Sequence, residues 1–471
     1  WSQGGPGPAL AAHSARTVAA KTGSVFSRIF RKKIAVGTFV MLTIIRWPVI
    51  RQTLMVLGLF AVLWFAWSSH AVTLFNGLAS PLFFALAAYL FFLATQYKIK
   101  AKRSSLVLFM LFATWVVFVD ARSGEFLPAL AIDSHWLVLP LASLLIAEVF
   151  REYPRAFEVV QVGAALCIIN LLLTLFTMAE WYDNWHYPPI FGHIRHLGLS
   201  IGFLTVLLFK KAATTRWVSL FFRLSRILGL AVVFWSGTRA AILAWFFCIA
   251  VFIYTDKNWA KTLLIDSAAA IALSLVPNPP LPNIASVLGR SFGVASADAA
   301  TSFRLAMWQS TLSGLNDIGR LWTGVGGNGF ARLQVMHEVV ISARGHIQAH
   351  NIIVQSICDW GLVGLMLIVS FSYASTLRPI IADSKDNNPT ALAAVVYLLI
   401  TGLFDATLYH LEHLTYLSIA LAYLFSQRST ENSKNIEIPA AIVITFLFVS
   451  VLIHAQTIDY RIGLYWYFRT E

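Results

Sequence analysis

The chain has 471 residues, of which 58% are hydrophobic and 12% charged, whereas soluble domains carry roughly twice that fraction of charge. Apolar runs long enough to cross a bilayer, roughly 17 to 25 residues each, recur along almost the whole length. The composition excludes a soluble domain of useful size and predicts an all-α polytopic membrane protein. The net charge of +13 lies in short basic groups between apolar runs, which points to anionic membrane lipid and not to nucleic acid as the counter-charge.

The N-terminal segment and the cysteines carry little functional signal. Residues 1–45 begin "WSQGGPGPALAAHSARTVAAKTG", a composition typical of a tag-like or flexible arm. Cys167, Cys248 and Cys358 all lie inside apolar runs, where a cysteine is most simply a small buried hydrophobe. We predict neither a disulfide framework nor a cysteine-based metal site.

Hydrophobic runs predict about 12 or 13 transmembrane helices. They lie near 49–67, 78–97, 105–120, 136–150, 158–179, 196–209, 217–235, 239–254, 262–276, 351–373, 389–408, 413–426 and 437–455. The chain therefore divides into a first bundle segment over 46–276, a large outer loop over 277–350 and a second bundle segment over 351–471.

The distribution of Lys and Arg predicts the orientation of the bundle. Basic residues collect in alternate connections, which we assign to the cytoplasm: 97–103, 151–155, 210–216, 256–261, 378–385 and 427–434. The opposite face then receives 180–196, 236–239, 277–350 and 409–413. A connection of about 70 residues is longer than joining two helices requires, and such loops are usually functional. Any chemistry is therefore expected on the outer side.

The stretch "FGHIRHLG" places Arg195 where an apolar run begins. An arginine there is costly unless it snorkels to the interface, pairs, or faces a polar cavity. Two interpretations of Arg195 are possible: a snorkelling arginine at the interface, or a fixed cation that binds phosphate. The flanking His193 and His196 favour the fixed cation.

The stretch "FWSGTRAAILAWF" contains a minimal turn, Ser236 to Arg239, between two apolar runs. Ser or Thr can cap the following helix, whose first N–H groups favour an anion. Arg239 adds a guanidinium suited to bidentate phosphate contact. A capped hairpin with a solvated arginine explains the same residues.

The long outer loop contains two further candidate substrate-binding elements. Residues 301–315 read as an amphipathic helix with Arg304 near its start, and we favour a helix-surface ion over a third substrate-binding cation. Residues 322–333, "WTGVGGNGFARL", read as a glycine-rich turn whose N–H groups could hold phosphate. Plain turns use the same residues.

The stretch "ARGHIQAHN" ends the loop with Arg344, His346, His350 and Asn351. Two histidines four residues apart share a helix face, but "HIQAH" supplies only two ligands and lacks the glutamate of a metalloprotease helix. A general base is the better hypothesis, since an imidazole titrates near neutral pH; an interfacial histidine with satisfied hydrogen bonds is the alternative. The chain has no Asp-x-Asp pair, which favours a mechanism without metal.

The stretch "HNIIVQSICDWGLVG" resembles the signature of the O-antigen ligase family, with His350, Asn351, Gly361 and Gly364 at the signature positions. O-antigen polymerases and O-linking oligosaccharyltransferases share this pattern: a many-helix bundle, a large periplasmic loop before the histidine, and two arginines upstream. By position and context, Arg195 and Arg239 match those arginines.

The resemblance implies a GT-C-like glycosyltransferase of the bacterial inner membrane that uses no cofactor. The implied donor is undecaprenyl-diphosphate-linked O-antigen, and the implied acceptor is a sugar hydroxyl of lipid A-core on the periplasmic side. Arg195 and Arg239 would neutralise the leaving diphosphate without metal, while His350 deprotonates the acceptor and the anomeric carbon is inverted. Substrate contacts are expected from Arg195, Arg239, His193, His196, Arg304, Arg344, His346 and Asn351, the last of which can also cap the helix or position His350.

Two other functions remain open from the sequence. A polymerase or O-linking oligosaccharyltransferase would use the same chemistry on another acceptor. A lipid-linked glycan flippase would place substrate groups near the bilayer midplane, whereas the ionisable clusters predicted here lie at one face.

Overall fold

The computed structural model describes residues 98–177, 193–209, 216–275, 304–337, 348–378, 388–405, 407–409, 411–427 and 435–439, with isolated helical positions between 446 and 453. All of these residues lie in one compact unit. The predicted arm over 1–45, the spans near 49–67 and 78–97, and residues 338–347 lie outside the described residues.

The described part of the chain is almost entirely helical. Its helices are α1 (Arg103–Ala121), α2 (Phe126–Glu152), α3 (Ala156–Thr177), α4 (Ile194–Leu207), α5 (Arg216–Ser236), α6 (Arg239–Thr255), α7 (Lys257–Ser274), α8 (Arg304–Asp317), α9 (Gly329–His337), α10 (Ile352–Ser372), α11 (Pro389–Phe404) and α12 (Leu411–Ser426). A π-helical turn, Tyr373–Leu377, extends α10, and a 3-10 turn, Thr407–Tyr409, joins α11 to α12.

Length and composition make α1, α2, α3, α5 and α10 capable of crossing a membrane, while α4, α6, α11 and α12 are shorter apolar helices. Each predicted span from 105–120 to 413–426 coincides with one of the described helices. The bounds differ most at α2, which begins at Phe126 and not near 136, and at α7, which begins at Lys257 and not near 262. A membrane protein built from helices is confirmed, and the total of about 12 spans stays a prediction.

A small sheet corrects the purely helical expectation. Strand β1 (Lys98–Lys102) pairs antiparallel with strand β2 (Asn435–Pro439), with Lys100 opposite Glu437. The predicted span near 437–455 therefore starts in a strand. Because these two connections pair with each other, they lie at the same end of the molecule, as the orientation from basic residues requires.

Helix α4 is the centre of the bundle and packs against α3, α5, α6 and α11. Twelve of its 14 residues are buried. Glycines allow the close approach: a Cβ at Gly198 would lie 2.3 Å from Thr238 Oγ1, and one at Gly202 would lie 1.9 Å from the Tyr397 hydroxyl oxygen. The helix extends about 21 Å, less than the roughly 30 Å of a hydrocarbon core.

Candidate active site

Arg195 lies in the first turn of α4. The side chain of His193 caps this helix by accepting the Arg195 backbone N–H at 3.0 Å, and the His193 and His196 rings lie 6.4 Å apart between centroids. The charge of Arg195 acts on both Arg304 and Asp405. The structure therefore places Arg195 in a group of charged side chains, and the cap gives His193 a structural role at the start of α4.

Arg239 is the first residue of α6 and is exposed. The turn before it contains Gly237 with φ of +61°. Thr238 occupies the N-cap position but forms no side-chain cap hydrogen bond; its hydroxyl bonds to that of Ser236 at 2.8 Å. The expected capping by Thr238 is therefore wrong. Because this turn packs directly on Gly198 of α4, the helix starts that carry Arg195 and Arg239 are neighbours.

Arg304, the first residue of α8, extends toward the end of α11. Its Nη2 lies 3.6 Å from Asp405 Oδ2, with the side chain 15% exposed, and its Nη1 donates to the Phe404 carbonyl. Burial, together with the positive charges of Arg195 and Arg239, lowers the pKa of Arg304, while the Asp405 carboxylate opposes that shift. Arg304 therefore joins the charged group, and the helix-surface interpretation that the sequence favoured is wrong.

His350 pairs with an aspartate that the sequence reasoning missed. Its Nδ1 lies 2.8 Å from Asp405 Oδ1, with side-chain exposures of 17% and 7%. Burial alone would raise the pKa of Asp405, but the hydrogen bond from His350 and the charges of His350, Arg304 and Arg195 hold it well below its ordinary value. An ionised carboxylate at Nδ1 keeps the proton on that nitrogen, so the lone pair of the neutral ring is on Nε2.

Asn351 caps α10. Its Oδ1 accepts the N–H groups of Ile353 and Val354 at 2.8 and 3.0 Å, and its Nδ2 donates to the Leu403 carbonyl at 2.9 Å. The predicted capping role of Asn351 is confirmed. The second contact also joins the start of α10 to the end of α11, beside the His350–Asp405 pair.

The glycine-rich turn does not present its N–H groups to a ligand. The N–H groups of Val325 and Gly326 donate to the Cys358 and Asp359 carbonyls at 2.8 and 2.9 Å. Those of Gly327 and Gly329 donate to the Asp120 and Asp359 carboxylates at 3.0 and 2.6 Å. The phosphate-binding hypothesis for this turn is wrong, because the donors already bind the protein.

The signature glycine Gly361 explains where this turn docks. Its φ of +68° and ψ of −177° break the regular helix within α10, and beyond the break the N–H groups of Leu362 and Val363 donate to the Leu321 and Trp322 carbonyls at 3.0 and 3.3 Å. The glycine therefore opens the backbone of α10 to receive the turn. Gly364 packs against the side chains of Trp360 and Trp115.

The predicted site residues are thus only partly brought together. Arg304 and His350 contact Asp405 at one end of the bundle. The charge of Arg195 influences the pKa of both Asp405 and Arg304, and that of Arg239 influences the pKa of Arg304. Arg344 and His346 lie outside the described residues. Asp405 had a sequence signal: a carboxylate within a predicted membrane span is a candidate functional group by default.

This geometry can bind an anion and accept a proton within one small region. The three guanidinium groups outnumber the single carboxylate, so with a neutral imidazole the group is cationic. Cations held in a partly buried site stabilise negative charge more strongly than solvated ones do. An imidazole oriented by a carboxylate is suited to general-base work.

A family model matches part of the chain. Residues 224–369 match a family model described as "O-Antigen ligase", a range that contains Arg239, Arg304 and His350 and the signature glycines. No curated protein matches the chain. Over residues 224–369 the chain is therefore similar to the O-antigen ligase family.

Proposed function

We propose that this protein is a glycosyltransferase of lipopolysaccharide biosynthesis that transfers O-antigen polysaccharide from undecaprenyl diphosphate to a sugar hydroxyl of lipid A-core. The reaction would take place at the periplasmic face of the bacterial inner membrane. The observation that carries the proposal is the 2.8 Å contact between His350 and Asp405 beside three arginines. The family of residues 224–369 supports the same class of reaction.

The proposed reaction is a single displacement in which His350 is the base. Nε2 of His350 takes the proton of the acceptor hydroxyl, and the acceptor oxygen forms a bond to the anomeric carbon of the donor. The bond from that carbon to the diphosphate oxygen breaks on the opposite face, and undecaprenyl diphosphate leaves with the electron pair. Asp405 stabilises the imidazolium that results. Attack opposite the leaving group inverts the anomeric configuration.

The arginines are proposed to neutralise the leaving group. Negative charge grows on the bridging oxygen of the diphosphate as the bond breaks, and guanidinium groups bind such oxygens in a bidentate manner. Arg195 and Arg239 are the proposed donors to the diphosphate. Arg304, which contacts Asp405, is proposed to bridge the diphosphate end of the site to the base. This scheme needs no metal, and addition of a chelator is expected to leave transfer unchanged.

The acceptor distinguishes a ligase from a polymerase. Purified protein supplied with lipid-linked O-antigen is expected to modify added lipid A-core without lengthening the glycan. Glycan growth in the absence of lipid A-core would replace the ligase with a polymerase, and transfer to protein would replace it with an oligosaccharyltransferase. Movement of the donor across a vesicle membrane without transfer would identify a flippase.

His350→Ala tests the base directly. We expect transfer to fall by about 10² to 10⁴-fold, the usual contribution of a general base, while donor binding measured with labelled lipid diphosphate persists. His135→Ala is the control, because His135 is a half-buried histidine of α2 outside the charged group. Full transfer by His350→Ala would contradict the mechanism.

A further inference from the structure

The backbone at His350 adopts an unusual conformation that the surrounding protein must maintain. Its φ is +51°, in the left-handed region that is unfavourable for a residue with a side chain. Such conformations persist only where neighbouring contacts fix them. The contacts of the backbone around His350 therefore help to determine the position of its imidazole.

Ala349, the residue before His350, is fixed through both of its backbone polar groups. It is completely buried. Its N–H donates to Gln355 Oε1 at 2.8 Å, and its carbonyl accepts the Trp308 Nε1–H at 2.7 Å. The peptide that leads into His350 is thus bound to side chains of α10 and α8.

The hydrogen bonds continue from Gln355 to the segment that carries Asp405. Gln355 Nε2 donates to Asp359 Oδ1 at 3.1 Å, and the Tyr409 hydroxyl donates to Asp359 Oδ2. Gln355 is 1% exposed and Asp359 is fully buried. Tyr409 lies four residues after Asp405 in the turn between α11 and α12.

We propose that Gln355, Asp359 and Tyr409 form a positioning bridge that holds His350 at the correct distance from Asp405. The proposal rests on the proposed function, because it concerns the base of that reaction. His350 lies just before α10 and Asp405 just after α11, 55 positions apart in the chain, so local chain geometry does not fix their separation. The bridge joins the peptide before His350 to the turn after Asp405 through the buried side chains of Gln355 and Asp359 and the half-buried side chain of Tyr409.

The bridge predicts a specific kinetic effect, because misalignment of a catalytic group slows the chemical step without weakening substrate binding. A purely structural role would instead lower the fraction of folded protein. Turnover per donor-binding site separates these effects, since unfolded protein contributes neither binding nor turnover.

The experiment compares Gln355→Met and Tyr409→Phe with Gln161→Met in the purified full-length protein. Gln161 is a matched control: it is 2% exposed and donates to the Leu207 carbonyl at 2.7 Å, at the end of α4 away from Arg195. We expect turnover per donor-binding site to fall about tenfold or more in both bridge variants, with the KM for the donor changed by less than about twofold. Gln161→Met is expected to keep wild-type turnover per site.

Wild-type turnover per site in either bridge variant that still folds overturns the proposal. If Gln355→Met fails to fold, Tyr409→Phe decides the question, because it removes one hydroxyl and keeps the ring. His350→Ala measured alongside distinguishes the two possible failures: an active His350→Ala contradicts the base itself, whereas an inactive one with unaffected bridge variants contradicts the bridge alone.

Discussion

Asp405 is the residue on which the charge balance of the site depends. It is 5% exposed and faces both His350 and Arg304. A buried carboxylate is unfavourable unless it is paired, and here the pairing is strong enough to hold its pKa well below the ordinary value. Without this carboxylate, the imidazole would lie next to arginines alone, which disfavour the imidazolium that a base must become.

Asp405→Asn should reduce transfer more than it reduces donor binding. An amide can donate to Nδ1 and so favour the wrong tautomer of His350, and it carries no charge to stabilise the imidazolium. We expect a loss of about 10² to 10⁴-fold in turnover, measured as initial rate of transfer at saturating donor. Asp317→Asn, which changes an exposed carboxylate of α8, is the control. Equal rates in Asp405→Asn and wild type would remove Asp405 from the mechanism.

The same variant should change the pH dependence of stability. A carboxylate whose pKa is depressed in the folded state contributes stability above its unfolded-state pKa, near 4, and that contribution is lost as the pH falls through the folded-state value. The difference in unfolding temperature between wild type and Asp405→Asn is therefore expected to be constant near neutral pH and to shrink below about pH 4. A difference that grew in acid would contradict the assigned ionisation.

At the scale of elements, the break in α10 is what connects the outer loop to the bundle. An unbroken helix keeps its carbonyl and N–H groups for itself, but at Gly361 the chain turns out of the helical conformation. The turn over 321–329 occupies the opening and bonds to both sides of it. The loop therefore docks through backbone contacts, which tolerate little change in side-chain volume at the glycines involved.

Gly361→Ala should destabilise the protein more than Gly319→Ala. Both glycines have positive φ, 68° and 67°, so alanine costs about 1 to 2 kcal/mol of backbone strain at either position. At Gly361 the new Cβ would also lie 2.2 Å from the Trp322 carbonyl oxygen, whereas at Gly319 nothing lies within 4 Å. Thermal unfolding in detergent measures the difference. Equal losses of stability in the two variants would show that backbone strain accounts for the whole effect and that the turn over 321–329 shifts to accommodate the new Cβ.

At the scale of the whole molecule, the charged residues of the site lie at one end and the paired strands at the other. The helices alternate in direction between these ends, so the starts of α4, α6, α8 and α10 meet where α11 finishes. Consistent with this alternation, Arg151 near the end of α2 donates to the Phe425 carbonyl near the end of α12 at 2.8 Å. The same alternation places the basic connections that the structure describes, over 98–103, 151–155 and 256–261, at the end opposite to the site.

Cysteine labelling tests the orientation. We expect a membrane-impermeant maleimide added to intact spheroplasts to label Asp317→Cys, whereas Lys100→Cys reacts only after permeabilisation. Both positions are exposed, and the native cysteines, Cys167, Cys248 and Cys358, are buried, so the unmodified protein serves as the background control. The reverse labelling pattern would place the site on the cytoplasmic side.

Sequence reasoning succeeded where a local pattern decides the outcome and failed where distant residues meet. Apolar runs predicted the described helices. Polar residues at the starts of those runs singled out Arg195, Arg239 and His350, whose roles stay predictions. Asp405 was missed because its partner lies 55 positions away.

The glycine-rich turn was misinterpreted for a related reason. Its composition indicates free N–H groups, and only the fold shows that carboxylates as far as 207 positions away accept them.

The contact between Gly198 and the Ser236–Thr238 turn has a consequence for selectivity. The side chains of Ser236 and Thr238 pack directly on Gly198, so the two helix starts cannot move apart independently. Helix packing, and not flexible side chains alone, therefore sets the spacing of Arg195 and Arg239. A fixed spacing between the two arginines favours binding of a ligand whose two anionic groups are a constant distance apart, as the phosphates of a diphosphate are. We therefore expect a polyprenyl diphosphate to bind more tightly than the corresponding monophosphate. The gain in affinity is expected to exceed the gain that one additional negative charge would give.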